Sequence, residues 1–244
     1  MKKQLLLLIM VLVQLSANAQ FSKFLKQITG DEPTKIDMGD LTNIDIGNGL
    51  KEALDKGITE QVLKLAVKDG FYKNDLVKII FPEELQKVDR ALRSVGLSDL
   101  ADEGIKMLNR AAEDAVEEAV PIFVDAIKGM TITDAKDILL GDDNAATTYL
   151  QNQTSEAIYE KFRPIIGDSF QKVGADKVWE NLIKTYNKIP FSNDVNPDLT
   201  SYVTGESLKS VYKVVAIEEQ EIRTKIGSRN TDLLKKVFAL QDGN

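Results

Sequence analysis

Apolar residues recur at intervals of three and four along most of this chain, and this spacing limits the possible folds more than any other feature. The first clear series starts at Leu50, runs to Ala66 and predicts a helix that ends near Gly70. Comparable series follow almost to the end of the chain, and no segment alternates apolar and polar residues long enough to predict a sheet. We therefore predict an all-α fold, a single bundle-like domain of about eight to ten helices.

Proline and glycine residues divide the first half of the chain into helices. Pro82 is predicted to open a helix that stops at Gly96, and residues 97–116 form the next one. Pro121 is predicted to kink or break the chain before residues 122–127. The apolar run at residues 75–81 is either an isolated strand or a buried extended connector.

Capping residues mark the helices of the second half. Thr133 is predicted as the N-cap of a helix at residues 134–140. Asp142 or Asp143 would cap a long helix that reaches towards residue 174 and bends at Pro164. Three further helices are predicted at residues 175–189, 198–226 and 232–240, with a polar turn at 190–197.

The first 19 residues have the three parts of a secretory signal peptide. Lys2 and Lys3 form the positive region, residues 5–15 the apolar run, and Ala17-Asn18-Ala19 the cleavage site. The apolar run is well short of the roughly 20 residues that span a bilayer, and the chain has no cysteine to carry a lipid. We expect a soluble protein without a stable membrane anchor, not a lipoprotein, exported to the periplasm or the extracellular medium.

After the signal peptide, residues 20–47 contain glycine and proline without helical periodicity and predict a flexible tether, so the helical domain spans residues 48–244. The whole chain carries a formal net charge of -7 at pH 7. Cleavage after Ala19 removes two lysines, which leaves about -9. Because phosphate binding needs clustered lysine and arginine, this balance disfavours nucleic acid and anionic lipid as partners.

The chain contains neither histidine nor cysteine. This excludes Ser-His-Asp triads, thiol nucleophiles, iron–sulfur clusters and the usual zinc sites. No phosphate-binding glycine motif occurs either. Asp194, Asn196 and Asp198 have the spacing of a calcium loop, but Leu199 replaces the required glycine and favours a helix-capping turn. We predict no cofactor, no metal site and no assigned catalytic residue.

One group of polar residues, Asn109, Arg110 and Glu113, can share one side of a helix next to small alanines. The amide, the guanidinium and the carboxylate together could bind a ligand. They could equally form a buried hydrogen-bonded set that fixes the helix register, or lie on a solvated face. We favour a structural role but keep all three residues as candidate ligand-binding residues.

A second group lies near the end of the chain. Glu219 and Arg223 have the spacing of an ordinary surface ion pair, which stabilises a helix by a few tenths of a kcal/mol. In the alternative, Glu218 and Arg223 turn inward and meet Arg163 in a charged pocket. Arg163, Glu218 and Arg223 are therefore the remaining candidate ligand-binding residues.

A series of short strings spans residues 48–240 in a fixed order: Gly49-Leu50-Lys51-Glu52-Ala53-Leu54, Pro82-Glu83-Glu84-Leu85, Leu108-Asn109-Arg110-Ala111-Ala112-Glu113, Asp125-Ala126-Ile127, Ile138-Leu139-Leu140-Gly141 with Ala145-Ala146-Thr147, Phe162-Arg163-Pro164 and Glu218-Glu219-Gln220-Glu221-Ile222-Arg223. In this order the chain resembles the bacterial exported proteins grouped as domain of unknown function 4197. The resemblance implies a helical envelope protein with a signal peptide. It implies no activity, cofactor or catalytic residue.

We expect the chain to be a non-enzymatic binding or interaction protein whose partner is an envelope component, a peptide or a small apolar ligand. The alternative is a hydrolase of an envelope component that uses paired carboxylates, with Glu113, Glu117 or Glu218 as acid or base and with or without a hard cation. A purely structural or assembly role is the third possibility. The alternatives differ in whether two carboxylates converge in one concave pocket.

Overall fold

The computed structural model describes residues 43–94, 96, 98–172, 198–229, 235 and 237–238. These residues are mostly helical and contain no strand, which confirms the all-α prediction. They form seven α-helices and one short 3-10 helix at Ile226–Ser228. The α-helices are α1 (Asn43–Ala66), α2 (Glu83–Ser94), α3 (Ser98–Val116), α4 (Ala119–Gly129), α5 (Ile132–Leu140), α6 (Ala145–Lys172) and α7 (Leu199–Thr224).

Several predicted segments lie outside the described residues. They are the signal peptide at 1–19, most of the tether, the helix at 175–189, the turn at 190–197 and most of the helix at 232–240. Helix α1 begins at Asn43, so the last five residues of the segment predicted as a tether are helical. No helix in the described ranges combines the length and apolar character needed to cross a bilayer.

The core lies where the long helices pack on one another. Helices α6 and α7 pack together, α3 and α4 pack on α6, and α1 contacts α3, α4, α5 and α7. The largest fully buried side chains include Phe71, Phe123 and Phe162. Phe123 also meets Tyr212 edge to face with ring centroids 5.8 Å apart, which ties α4 to α7. A core of this kind stabilises the fold without disulfides.

Two prolines behave differently from simple helix breakers. Pro121 lies in the first turn of α4, where the backbone nitrogen needs no helical partner. The predicted break at Pro121 was therefore misplaced, because the chain leaves the helix at Glu117 and Glu118 instead. Pro164 lies within α6, which continues to Lys172.

Helix α1 ends at Ala66, before the predicted end near Gly70. Asp69 adopts a left-handed backbone conformation with φ of 71°, which a helix cannot include. Gly70 follows so closely that a Cβ atom there would lie 2.4 Å from the carbonyl oxygen of Leu65. The chain therefore turns sharply at this point and starts the segment at residues 67–82, which we call the connector.

The connector contains no strand, so the isolated strand predicted as one alternative for residues 75–81 is wrong. The extended alternative holds only in part, because residues 75–77 form a turn that the hydrogen bond from the Lys78 N–H to the Asn74 C=O closes at 2.8 Å. Burial alternates along its second half. Val77, Ile79 and Phe81 are buried, whereas Leu76 and Ile80 are 55% and 53% exposed. Hydrogen bonds from α3 and α7 reach its backbone, as described below, and place it against both helices.

The N-cap of α5 is Thr131 and not Thr133 as predicted. The hydroxyl of Thr131 accepts a hydrogen bond from the backbone N–H of Asp134 at 3.1 Å, and the Asp134 carboxylate accepts one from the Thr131 N–H at 2.8 Å. This reciprocal capping box satisfies two N–H groups that the first turn leaves unpaired. The sequence offers two threonines, and the partner three residues later selects the first.

We expect Thr131→Ala to lower the free energy of unfolding by about 1 kcal/mol, because it removes the cap acceptor. Thr133→Ala is the matched control, since Thr133 is exposed within α5 and should change stability by less than about 0.5 kcal/mol. Urea unfolding of the two variants measures both values. Equal losses would contradict the capping assignment.

Candidate functional site

Asn109 on α3 faces the connector and is fully buried. Its Oδ1 atom accepts a hydrogen bond from the N–H of Ile79 at 2.8 Å, and its Nδ2 atom donates to the C=O of Ile79 at 2.7 Å. Nδ2 also donates to the C=O of Ile105 at 2.7 Å. The amide thus pairs with both backbone groups of one extended residue, as a neighbouring strand would.

Glu113 lies one turn further along α3 and holds the start of the connector. Its Oε1 atom accepts hydrogen bonds from the N–H groups of Phe71 at 3.0 Å and Tyr72 at 3.2 Å. Its Oε2 atom accepts a hydrogen bond from Arg110, which also donates to Asp69. Both oxygens of the buried carboxylate are therefore engaged, Oε1 by two backbone N–H groups and Oε2 by the guanidinium of Arg110.

Asp69 closes the same network from the connector side. Its carboxylate pairs with Lys73 at 2.9 Å and with Arg110. Hydrogen bonds from Lys73 and then from Arg110 hold the pKa of Asp69 below its ordinary value. The negative charge that Arg110 needs is thus present at neutral pH. Asn109, Arg110 and Glu113 do converge, as predicted, and what they bind is the protein's own connector.

An open cleft of about 500 Å³ borders this network on the solvent side. Its walls mix acidic and basic side chains, which include Lys68, Asp99, Glu103 and Lys106, with the ring of Tyr72. Arg110 also lines the cleft, and its two terminal guanidinium nitrogens donate to Glu113 and Asp69. The cleft therefore offers charges of both signs and no single dominant one.

The second predicted group does not converge. Glu218 accepts a hydrogen bond from Gln61 of α1 at 2.6 Å, and Arg163 lies 3.5 Å from Asp198 at the start of α7. Arg223, near the other end of α7, pairs with Glu219. The predicted charged pocket of Arg163, Glu218 and Arg223 is therefore wrong, because each residue has a different partner.

Glu219 and Arg223 form the predicted pair, but the pair is buried and not on the surface. Their side chains are only 4% and 5% exposed. Arg223 donates to Glu219 at 2.8 Å and to the C=O groups of Ile138 at 2.8 Å and Leu139 at 3.3 Å. These carbonyls belong to the last turn of α5, where unpaired oxygens and the helix dipole favour a cation.

Glu219 binds the start of the neighbouring helix α6, whereas Arg223 binds the end of α5. Its carboxylate accepts hydrogen bonds from the N–H groups of Ala146 at 2.9 Å and Thr147 at 2.8 Å, and from the Thr147 hydroxyl at 2.7 Å. These groups begin α6, whose N-terminus favours an anion. One buried ion pair on α7 therefore holds the end of α5 and the start of α6. The spacing in sequence revealed the pair but not these distant partners.

The buried polar groups are fully used. In the described ranges, no buried side-chain nitrogen or oxygen lacks a hydrogen-bond partner. Nor does any group of three or more acidic side chains in those ranges gather closely enough to hold a metal ion. The buried members of the polar clusters that the sequence suggested as ligand sites are thus hydrogen-bonded within the protein.

The exposed apolar residues have an uneven distribution. Residues 63–80 contain Leu63, Val67, Leu76 and Ile80, which are 40%, 58%, 55% and 53% exposed. We call these four side chains the connector surface. The remaining large exposed apolar residues of the described ranges are Leu100, Leu140, Ile217 and Ile226. Half of the group therefore lies in one stretch of 18 residues, although single exposed apolar side chains are normal.

The connector surface is bordered by positive charge, in contrast to the acidic chain as a whole. Residues 63–80 carry four lysines and two aspartates. The ammonium group of Lys78 lies 4.7 Å from the centre of the Tyr72 ring, and that of Lys213 donates to the C=O of Leu76 at 2.7 Å. On α7, Ile217 follows Lys213 by one helical turn on the same side.

Residues 40–239 match the family described as protein of unknown function (DUF4197). The match covers most of the chain and includes every candidate residue, so the chain belongs to this family. No curated protein and no solved structure matches it. The family assignment agrees with the resemblance seen in the sequence and adds no activity.

We expect Asn109→Ala to lower the free energy of unfolding by about 2–4 kcal/mol, because it leaves both backbone groups of Ile79 buried and unpaired. Asn152→Ala on α6 is the matched control, since Asn152 is exposed and its loss should cost less than about 0.5 kcal/mol. Denaturant unfolding measures the difference. An Asn109 variant as stable as the control would show that α3 does not hold the connector.

The start of α7 should make stability depend on pH. Asp198 caps α7, and hydrogen bonds from the Ser201 side chain and backbone, followed by the charge of Arg163, hold the pKa of Asp198 below its ordinary 3.8. A lowered carboxyl pKa stabilises the fold above the unfolded pKa, and this contribution is lost as pH falls through the folded value. Asp198→Asn keeps a good cap but removes the charge, so it should be less stable than wild type at pH 6, and the difference should shrink as pH falls through the lowered pKa of Asp198. A constant difference across urea unfolding curves from pH 6 to 3 would contradict this origin.

Proposed function

We propose that this DUF4197 protein is a non-enzymatic, exported helical binding protein that engages its partner through the connector surface. The observation that carries the proposal is the concentration of Leu63, Val67, Leu76 and Ile80 on one segment. Exposed apolar groups concentrated in one region are typical of interaction sites. An envelope component, a peptide or a small apolar ligand are the partner classes that such a surface accepts.

The polar clusters support binding over catalysis. Glu113 is hydrogen-bonded through both oxygens, and Glu218 is engaged by Gln61. Glu117 is exposed in the turn between α3 and α4. A hydrolase of the paired-carboxylate type needs two carboxylates that face one substrate across a pocket. Nothing in the surroundings of these three residues favours that arrangement.

The size of the surface fits a reversible interaction. Full burial of one large apolar side chain contributes about 1.5–3 kcal/mol. The four side chains are roughly half exposed, so covering them contributes about 3–6 kcal/mol in total before the cost of association. A gain of this size supports weak binding. Tighter binding also needs hydrogen bonds and charge interactions with the partner.

Export is supported by the pattern of residues 1–19, with Lys2 and Lys3 before an apolar run and a small-residue cleavage site. Expression of the full chain with fractionation and N-terminal sequencing tests it. We expect the mature protein to start at Gln20 outside the cytoplasm. A protein that retains Met1 or Lys2 in the cytoplasm would contradict export.

The double variant Leu76→Ser with Ile80→Ser tests the binding surface. We expect it to fold with nearly unchanged stability, because both side chains are half exposed, and to lose binding at least tenfold. The measurement is a thermal-shift and fluorescence titration of the purified domain with a panel of synthetic peptides, fatty acids and cell-wall fragments.

Leu140→Ser with Ile226→Ser is the matched control, since these two residues are 71% and 65% exposed and lie elsewhere. Wild type and control should bind the same members of the panel with the same affinity. If no member binds wild type, or if both double variants lose binding equally, the connector surface is not the interaction site.

A further inference from the structure

The backbone of the connector is paired on one edge and open on the other. On the inner edge, Asn109 pairs with both the N–H and the C=O of Ile79. Within the described part of the chain, neither the C=O of Lys78 nor the N–H of Ile80 has a hydrogen-bond partner. Both residues are exposed. Two unpaired backbone groups therefore lie on exposed residues next to Leu76.

These two groups have the spacing that a parallel strand recognises. In an extended segment, successive residues direct their backbone groups to opposite edges, so the C=O of Lys78 and the N–H of Ile80 share the edge opposite Asn109. One residue of a parallel strand can donate to the first group and accept from the second. The connector thus resembles a strand that is paired on its inner edge only. There its partner is the side chain of Asn109 and not a second strand.

The open edge is short, because the backbone groups on either side of it cannot take a new partner. The N–H of Lys78 is already bonded to the C=O of Asn74 at 2.8 Å, and the C=O of Ile80 accepts from the Tyr202 hydroxyl at 3.0 Å. Pro82 has no N–H. Only one partner residue can therefore form the two hydrogen bonds, and its neighbours must bind through their side chains.

The side chains around the edge determine which side chains the neighbouring residues of the partner must carry. Leu76 and Ile80 expose apolar surface on either side of Lys78. Lys78 and Lys213 place two ammonium groups at this position. Leu76, Lys78 and Ile80 are alternate residues and therefore face the same side. A partner strand that fits them carries an acidic side chain between two apolar ones at alternate positions on that side.

We propose that the connector binds one extended peptide segment, parallel to residues 78–80, in which one side carries an acidic side chain between two apolar ones. The inference rests on the proposed binding function and specifies its partner. It is strand addition to a free edge, where backbone hydrogen bonds supply affinity and side chains supply specificity. A lipid or a small apolar ligand has no backbone that could pair with Lys78 and Ile80, so the open edge favours a peptide over either.

A peptide-binding experiment tests the proposal with purified protein of residues 20–244. The probes are fluorescein-labelled five-residue peptides with valine at the first and fifth positions, glutamate at the third and serine between them, and the same peptides with lysine in place of glutamate. Fluorescence anisotropy measures binding. We expect the acidic peptides to bind at least tenfold more tightly than the basic ones, and methylation of one backbone nitrogen to weaken binding at least tenfold while methylation of its neighbours does not.

Charge reversal provides the matched control. Lys78→Glu should weaken the acidic peptides at least tenfold and improve the basic ones. Lys161→Glu makes the same change of charge at an exposed position of α6 and should have no effect. If Lys78→Glu and Lys161→Glu act equally, long-range charge and not the edge explains the preference.

Other outcomes separate this inference from the proposed function. Binding that is insensitive to backbone methylation would overturn strand addition, as would failure of both peptide sets to bind. In either case the serine variants of Leu76 and Ile80 still decide whether the connector surface binds anything. Concentration-dependent self-association that those serine variants abolish would identify a second copy of the chain as the occupant and overturn the peptide.

Discussion

The fold depends on a constraint that Asn109 and Glu113 satisfy, namely that buried backbone groups must be hydrogen-bonded. The connector enters the core without a helix or a sheet to pair its N–H and C=O groups. Two side chains of α3 pair them instead, at Ile79 and at Phe71 with Tyr72. Because these bonds fix which way the connector faces, Phe71, Val77, Ile79 and Phe81 are buried and Leu76 and Ile80 point outward. The same bonds therefore build the core and create the exposed surface.

The second polar cluster, Glu219 with Arg223, likewise supplies hydrogen bonds to unpaired backbone groups, here at the ends of helices. Glu219 lies at the positive start of α6 and Arg223 at the negative end of α5, so each charge offsets a helix dipole while the two charges neutralise each other. A buried ion pair is costly unless its remaining donors and acceptors are satisfied. Here the backbone satisfies them. Charged residues at the centre of this protein are thus explained by helix geometry, which directs the search for function to the surface.

Local patterns in the sequence predicted the local structure well. The all-α class, the stop at Gly96, the capping role of Asp198 and the buried connector follow from periodicity and turn chemistry that act within a few residues. The cluster at Asn109 was also recognisable, and its side chains do converge, on the backbone of the connector. The partners were not predictable, because Glu219 binds residues more than 70 positions away and nothing in its spacing distinguishes a solvated pair from a buried one. For the same reason the pocket predicted around Arg163 was wrong.

Amide hydrogen exchange at two adjacent residues tests the central claim most directly. The claim is that α3 closes one edge of the connector and that the other edge is open. Exchange followed by nuclear magnetic resonance should find the N–H of Ile79 strongly protected, since it is bonded to Asn109, and the N–H of Ile80 nearly unprotected. Fast exchange at Ile79 would mean that Asn109 does not hold the connector. Equal protection at both residues would mean that the outer edge is closed and offers no binding surface.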